Sequence, residues 1–219
     1  LTGSFPSLTG TYVANCSSWA SADTTNVPSV WKVFDNDTTT WWENNYFVQA
    51  GYGAGGTYTG SYSTTVSGSA VGGEWIQIQY PTQVILQTYS MYARSGLWAA
   101  RMPKQFTVAG SNDGTTWTTV DTQTGITSWT GQTAISFTPS VLTTPWKYFR
   151  LIAQAIVSGP DDINIGQWTL NVSSNGSDFY ADTQGNLTTG INGTGQTLST
   201  WLAGATPYVS IWYDQTSQG

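Results

Sequence analysis

The sequence contains no histidine, and Cys16 is its only cysteine. Without histidine the chain has neither an ordinary Ser-His-Asp triad nor an imidazole metal site, and Cys16 lacks the base that would activate it. A single cysteine also excludes an internal disulfide. These absences argue against a covalent or acid-base enzyme.

Charge and long apolar runs are also scarce. Only 8% of the residues are charged, and the formal net charge of -6 leaves no basic surface for nucleic acid or an anionic membrane. No apolar run approaches the length of a membrane span, so we expect no membrane insertion. The chain begins at Leu1 without a methionine or a signal segment. We therefore expect a preceding piece to have been removed or to lie outside this sequence.

Glycine, serine, threonine and aromatic residues are abundant, with 24 glycines, 12 tryptophans and 12 tyrosines in 219 residues. This composition favours short strands joined by turns over helices. An Asn112-Asp113-Gly114 turn, whose central residues need positive φ, predicts a hairpin. The whole pattern predicts an all-β fold, an antiparallel β-sandwich of jelly-roll type. The predicted strands lie in residues 73–80, 83–94, 103–125 (the hairpin), 133–139, 146–156 and 164–173.

Two stretches stand apart from these strands. Residues 46–73 form a Gly/Ser/Tyr-rich segment that is long enough to be a binding loop. The spacing of its tyrosines also allows a small extra hairpin. After Val172 the chain becomes richer in Gly and Thr, with one candidate short helix from Gln196 to Leu202. We therefore predict a β-sandwich over residues 1–173. Residues 174–219 are predicted to be a linker or the truncated start of a second β-rich module.

Five motifs occur in order along the chain: VFDNDTTTWW, GEWIQIQYP, PKQFTVAGSNDGTTW, KYFRL and IGQWTLNV. With them, residues 11–173 resemble the discoidin domain, also called coagulation factor 5/8 type C, which overlaps the galactose-binding-like carbohydrate-binding modules. The resemblance implies a discoidin-like jelly roll with sugar-binding loops at one end. The amino-acid sequences of the motifs resemble those in modules of large DNA viruses and microbial surface proteins. The tail resembles the opening of a concanavalin-like or arabinofuranosidase-B-like module.

The segment VFDNDTTTWW, hereafter the Asp loop (residues 33–42), carries two carboxylates. In the resembling family this loop binds a structural calcium ion, which implies Asp35, Asp37 and Thr40 as oxygen ligands. The family closes the site with a glutamate where this chain has Gln167, whose amide oxygen carries no charge. The alternative is an Asx-type turn without an ion, and the sequence leaves both open. The two carboxylates lie too close in sequence to flank a sugar ring as a catalytic pair.

Sugar recognition needs an aromatic plane and a few fixed polar groups. The resemblance places such groups on loops at the end of the sandwich that bears the Asp loop. RSGLWAAR, residues 94–101, gathers two of the six basic residues of the chain around a tryptophan. The candidate ligand-binding residues are Arg94, Trp98, Arg101, Tyr46, Tyr52, Asp161 and Asp162.

Several of the tryptophans have a structural interpretation instead. Trp98 is equally well explained as a side chain packed under its own loop. At least one of Trp31, Trp41 and Trp42 is expected in the core, and Arg150 is expected to be a structural strand residue. The strand tryptophans expected in the core are Trp75, Trp117, Trp146 and Trp168.

Six Asn-X-Ser/Thr sequons suit a surface-exposed or secreted glycoprotein. We predict a non-catalytic, lectin-like adhesion module on an extracellular or virion surface, with glycans or a glycosylated surface as its partner. One alternative is a structural subunit of a fibre, filament or capsid that contacts copies of itself or other surface proteins. Another is an accessory domain of a glycoside hydrolase. The sequon asparagines are Asn15, Asn36, Asn171, Asn175, Asn186 and Asn192.

Overall fold

The structure is a computed structural model, and it describes residues 10–20, 29–45, 51–94, 96–174, 180–181 and 187–188. The chain divides into two compact units, Leu1–Asn175 and Gly176–Gly219. In the second unit, a strand at Tyr180–Ala181 pairs antiparallel with one at Leu187–Thr188. The candidate helix at 196–202 and three sequon asparagines lie outside the described residues, namely Asn175, Asn186 and Asn192.

Strands are the main regular secondary structure among the described residues of the first unit, as its β-branched and aromatic composition predicts. Three 3₁₀ helices, Ser29–Phe34, Ala54–Gly56 and Gly96–Arg101, interrupt them, and no α-helix occurs within the described ranges. Nor does any described helix have the length and apolar character needed to cross a membrane. The strands of this unit are β1 (Val13–Cys16), β2 (Trp42–Glu43), β3 (Ser63–Val66), β4 (Ser69–Gly72), β5 (Glu74–Tyr92), β6 (Pro103–Ser111), β7 (Thr118–Gln123), β8 (Ala134–Phe137), β9 (Trp146–Ile156), β10 (Asn164–Ile165) and β11 (Gln167–Ser174).

The long strand β5 organises the sandwich. Its first half pairs with β1 and β9, and its second half pairs with β11 and β8. Beyond β9 the sheet continues through β6 to β7. The expected strand end at Pro81 is absent, because β5 runs on through this residue. Instead, the ladder with β9 is interrupted between Gln79 and Val84, where proline has no N–H to donate.

The core lies between the inward faces of these strands. Tyr89, Phe106 and Phe137 form an aromatic cluster, with ring centroids 5.0 Å apart for Tyr89–Phe137 and 5.5 Å apart for Phe106–Phe137. Burying a side chain of this size contributes about 1.5–3 kcal/mol. Of the tryptophans expected in the core, Trp117 and Trp168 are buried, and so is Trp42 from the Asp loop. The other two, Trp75 and Trp146, are half-buried.

Two hairpins flank this core. The one formed by β6 and β7 is present as predicted, but only Gly114 of its turn has positive φ, at 76°. The Asp113 carboxylate accepts the N–H groups of Thr115 and Thr116, both at 2.7 Å, so an Asx-type loop replaces the expected two-residue turn. The extra hairpin expected within residues 46–73 is formed by β3 and β4.

Candidate functional site

A groove of about 360 Å³ opens beside the Asp loop. Its wall comes from the 3₁₀ helix Ser29–Phe34 and from the stretch that leads into β2. Trp41 and Glu43 flank the buried Trp42, so strand alternation turns both away from the core and onto the groove. The lining residues are Ala20, Ser29, Lys32, Thr39, Thr40, Trp41 and Glu43.

Trp41 is the aromatic surface of the groove. The guanidinium carbon of Arg94 lies 3.4 Å from the centroid of the Trp41 ring. A cation in this position over an indole contributes about 0.5–2 kcal/mol. The indole Nε1 donates a hydrogen bond to Glu43 Oε2 at 3.3 Å. These two contacts fix the plane of the Trp41 ring.

Glu43 links the groove to the loop at residues 94–101. Its Oε1 accepts a hydrogen bond from Arg101 Nη1 at 3.2 Å, and its Oε2 lies 3.7 Å from Arg94 Nη1. The guanidinium carbons of Arg94 and Arg101 lie 4.5 and 4.2 Å from the centroid of the Trp98 ring. Burial lowers the pKa of Arg94, Glu43 opposes this change, and Arg101 adds to it. Arg94 therefore contacts Trp41 directly, and Glu43 connects Trp41 to Arg101.

Arg101 also binds two carboxylates from the loop before β10. Its Nε donates to Asp161 Oδ2 at 2.9 Å, and its Nη1 lies 2.5 Å from Asp162 Oδ1. Asp162 is only 3% exposed. Burial, reinforced by a hydrogen bond with Glu43, raises the pKa of Asp162 to about 6, although Arg101 opposes this change. Three carboxylates therefore share two guanidinium groups, and burial disfavours the ionisation of Asp162.

Most of the predicted ligand-binding residues meet in this network, namely Arg94, Trp98, Arg101, Asp161 and Asp162. They contact one another or Glu43, so many of their hydrogen-bonding and charged atoms are already paired within the protein. Tyr52 lies elsewhere: it is 2% exposed, and its hydroxyl donates to the Ala153 carbonyl oxygen at 2.9 Å. Tyr52 is therefore a core residue and not a wall of the site. Tyr46 lies outside the described residues.

The groove lining is only partly visible in the sequence. Lys32 and Glu43 flank the motif VFDNDTTTWW, and the sequence assigns no role to Thr39 within it. A usable signal is side-chain alternation over residues 41–43, because a buried Trp42 requires its two neighbours to face the other way. Trp31 is 50% exposed and belongs to the same 3₁₀ helix as Lys32, so a second aromatic side chain lies on the segment that lines the groove.

Gln167 reaches from β11 into the Asp loop, and its side chain is only 2% exposed. Its Nε2 lies 2.7 Å from the Lys32 carbonyl oxygen and 2.8 Å from both Asp35 Oδ1 and the Asp37 carbonyl oxygen. Its Oε1 accepts the Asn36 N–H at 3.0 Å. The amide nitrogen, and not the expected amide oxygen, therefore faces the centre of the loop.

The remaining contacts in the Asp loop are local. Thr40 Oγ1 donates to Asp35 Oδ2 at 2.8 Å, and Asp35 Oδ1 accepts the Asp37 N–H at 2.8 Å. Asp37 Oδ1 accepts from the Thr39 hydroxyl at 2.6 Å and from the Thr39 N–H at 2.9 Å, which lowers the pKa of Asp37. These are the contacts of Asx-type turns. Among the described residues, no three His, Cys, Asp or Glu side chains are grouped so as to hold a metal ion.

No protein-family model matches the chain, and no curated protein matches it. Solved structures do match. One is a family 32 carbohydrate-binding module from Clostridium perfringens in complex with GalNAc-β-1,3-galactose, with 13% identity, a TM-score of 0.53, and coverage of 73% of this chain and 94% of that one. Another is the family 32 module of Clostridium perfringens NanJ in complex with galactose, with 11% identity, a TM-score of 0.50, and coverage of 73% and 92%.

A third similar structure is the C-terminal domain of a chitobiase from Bacteroides fragilis, with 14% identity, a TM-score of 0.50, and coverage of 73% of this chain and 93% of that one. At such identities the likeness concerns the fold. The fold is the galactose-binding-like β-sandwich. The predicted discoidin-like architecture is thereby confirmed. The similarity to viral and microbial surface proteins, and that of the tail to a second module, stay predictions.

Proposed function

We propose that the first unit is a non-catalytic carbohydrate-binding module that holds a glycan in the groove beside the Asp loop. The observation that carries the proposal is the Trp41 ring, which lines the groove and is held in place by Arg94 and Glu43. A pyranose packs its apolar face on such a ring, while its hydroxyls bond to fixed polar groups. Those groups line the same groove: Ser29, Lys32, Thr39, Thr40 and Glu43.

The size of the groove supports a short ligand. Its volume of about 360 Å³ lies at the lower end of the range for small-molecule sites. We propose one or a few sugar residues as the bound unit. The sandwich fold supports the proposal by analogy, because modules with this fold are found in complex with galactose and with GalNAc-β-1,3-galactose.

The chemistry of the chain supports binding without catalysis. Burial raises the pKa of the Cys16 thiol to about 12, so this group is a poor nucleophile at neutral pH. Glu43, Asp161 and Asp162 are paired with Arg94 or Arg101, and Asp35 and Asp37 are hydrogen-bonded within the Asp loop and to Gln167. Three sequon asparagines, Asn15, Asn36 and Asn171, are exposed. We therefore propose a glycoprotein adhesion module on an extracellular or virion surface.

The test is a glycan array probed with the full chain, followed by titration of the best ligand against Trp41→Ala. We expect the affinity to fall at least about tenfold, because the stacking surface is removed. Trp41→Phe should retain part of the affinity. Leu142→Ala is the control, since Leu142 is an exposed apolar residue outside the groove lining. Unchanged binding by Trp41→Ala would exclude this groove as the glycan site.

A second candidate function is a structural subunit of a fibre, filament or capsid. It is favoured by β1, which ends the strand order of the sheet and exposes Val13, with Trp19 exposed shortly after it. Edge strands with exposed apolar residues are surfaces for pairing with other chains. Light scattering on the purified chain separates the two functions: a stable assembly that binds no glycan supports the subunit, and a monomer that binds a glycan supports the module.

A further inference from the structure

We propose that the side-chain amide of Gln167 occupies the centre of the Asp loop in place of a cation, so that the loop and the adjoining groove need no calcium. The inference concerns the loop itself and does not depend on what the groove binds. Its basis is the position of Gln167 Nε2, within 2.8 Å of a carboxylate oxygen and two carbonyl oxygens.

Three oxygens that converge on one point need a positive partner, because oxygens without one repel each other and remain unsatisfied when buried. Gln167 supplies two polarised hydrogens from its amide nitrogen. These are shared among the Lys32 carbonyl, the Asp35 carboxylate and the Asp37 carbonyl. The amide therefore satisfies by hydrogen bonding the oxygens that a bound cation would otherwise satisfy.

The opposite orientation of the amide is excluded by the same neighbours. If the group were turned over, Oε1 would face the oxygens of Lys32, Asp35 and Asp37, and Nε2 would face the Asn36 N–H that Oε1 now accepts. Attractive contacts on both sides of the amide would become repulsive ones. The hydrogen-bond network therefore determines which atom of Gln167 points into the loop.

The residues present do not fit calcium. A side chain that closes the site from β11 must give one oxygen to the ion and a second oxygen to the Asn36 N–H. A carboxylate can do both, whereas the Gln167 amide has only one oxygen. Calcium also takes six to eight oxygens and favours negative ones. Only the Asp35 carboxylate faces the centre, because Thr39 holds the Asp37 carboxylate.

The position of the Gln167 amide in the Asp loop has a consequence for the groove. Lys32 and Thr40 both line it, and the oxygen that Gln167 holds on Lys32 also lies 3.3 Å from the Thr40 hydroxyl. The contact from β11 thus holds Lys32 and, through the Lys32 carbonyl oxygen, is linked to Thr40. We expect the groove to keep its shape in a chelator.

The decisive variant is Gln167→Glu, which provides the second oxygen. Thermal unfolding of the full chain is followed in EDTA and in calcium. We expect the wild type to have the same Tm in both. The variant should have a lower Tm in EDTA, because a carboxylate then faces the loop oxygens. Calcium at roughly 100 times its Kd should raise the Tm of the variant by about 5–10 °C.

Gln87→Glu is the matched control. Gln87 is a half-buried residue on β5 whose Nε2 donates to Ser173 Oγ at 3.1 Å, away from the Asp loop. The control makes the same change of group and charge, and its Tm should not respond to calcium. A second readout is terbium luminescence sensitised by tryptophan, which should appear for Gln167→Glu and be displaced by calcium.

Two results would overturn the proposal. A saturable rise in the Tm of the wild type with calcium, or a calcium-displaceable terbium signal from it, would show that the loop binds an ion with Gln167 in place. A folded Gln167→Glu protein that ignores calcium would show that the amide is not what keeps the ion out. The wild-type measurements decide the question even if the variant does not fold.

Discussion

Two arginines of this molecule each stack on two tryptophans, one on the central sheet and one at the groove. On the sheet, the guanidinium carbon of Arg150 lies 3.9 Å from the Trp75 ring centroid and 4.2 Å from that of Trp117. Its hydrogen-bond partners are neutral: Gln77 Oε1 at 2.7 and 3.1 Å, and Thr64 Oγ1 at 2.9 Å. Burial lowers the pKa of Arg150 to about 10. This cation is held by aromatic faces and neutral oxygens.

At the groove, Arg94 stacks on Trp41 and Trp98 and lies near the Glu43 carboxylate. Glu43 is shared with Arg101 and accepts the Trp41 indole N–H, so the charges here orient an aromatic ring beside open space. The same residue types thus give a packing unit in one place and a positioning unit in the other. The neighbours make the difference: neutral amides and hydroxyls on the sheet, carboxylates at the groove.

The largest expected effect comes from breaking the sheet unit with Arg150→Ala. We expect the free energy of unfolding to fall by about 2–4 kcal/mol, because two tryptophan faces lose their contact and the buried Gln77 oxygen loses its donor. Urea unfolding measures the loss. Arg150→Lys keeps the charge but not the planar group that stacks on the rings. Its free energy of unfolding should lie between those of the wild type and Arg150→Ala. A loss under about 1 kcal/mol would mean that Arg150 is not a packing residue.

The second-largest effect is expected from Arg94→Ala at the groove, and it should lower glycan affinity more than the stability of the fold. Arg94→Ala should lower the free energy of unfolding by no more than about 1 kcal/mol, because its ion pair is partly solvated. Glycan affinity, measured by calorimetry, should fall at least about tenfold, because Trp41 loses the cation that fixes its plane. If Arg94→Ala destabilised the fold as much as Arg150→Ala and left affinity unchanged, the two units would not differ in role.

The difference between the units also shows what local sequence can predict. Strand alternation and turn residues suffice for the sandwich, and they place Arg150 on a strand as a structural residue. RSGLWAAR places Arg94, Trp98 and Arg101 together because they are close in sequence. The carboxylate that joins two of them to Trp41 belongs to Glu43, which is 58 positions from Arg101 in the chain, so the residues of RSGLWAAR do not predict this pairing.

The Asp loop shows the same limit. Its Asx-type turns follow from its own residues, and the alternative of a bare turn is part of the sequence interpretation. The orientation of the Gln167 amide is different, because it depends on the Asn36 N–H, 131 positions away in the chain. Such long-range pairing is fixed by how β11 docks beside the loop, which the fold determines and the motif does not.

The smallest expected effect is a pH dependence that the acidic surroundings of Arg101 create and that the neutral surroundings of Arg150 lack. Burial raises the pKa of Asp162 to about 6 in the folded chain, so folding strengthens proton binding there. The resulting stabilisation is fully present below the unfolded pKa of about 3.9 and is lost as the pH rises through about 6. Burial of Glu74, which also raises its pKa, acts in the same direction.

We therefore expect the Tm to decline between pH 5 and pH 7, and Asp162→Asn to flatten part of that decline while its amide oxygen still accepts from Arg101. Asp113→Asn is the control, because hydrogen bonds from Thr115 and Thr116 lower the pKa of Asp113 and keep it ionised across this range. A decline as steep in Asp162→Asn as in the wild type would mean that Arg101 and its carboxylates stay fully ionised. The side chains at the groove would then be held in place by ion pairs alone. Arg101 would differ from Arg150 only in the number of charged residues around it.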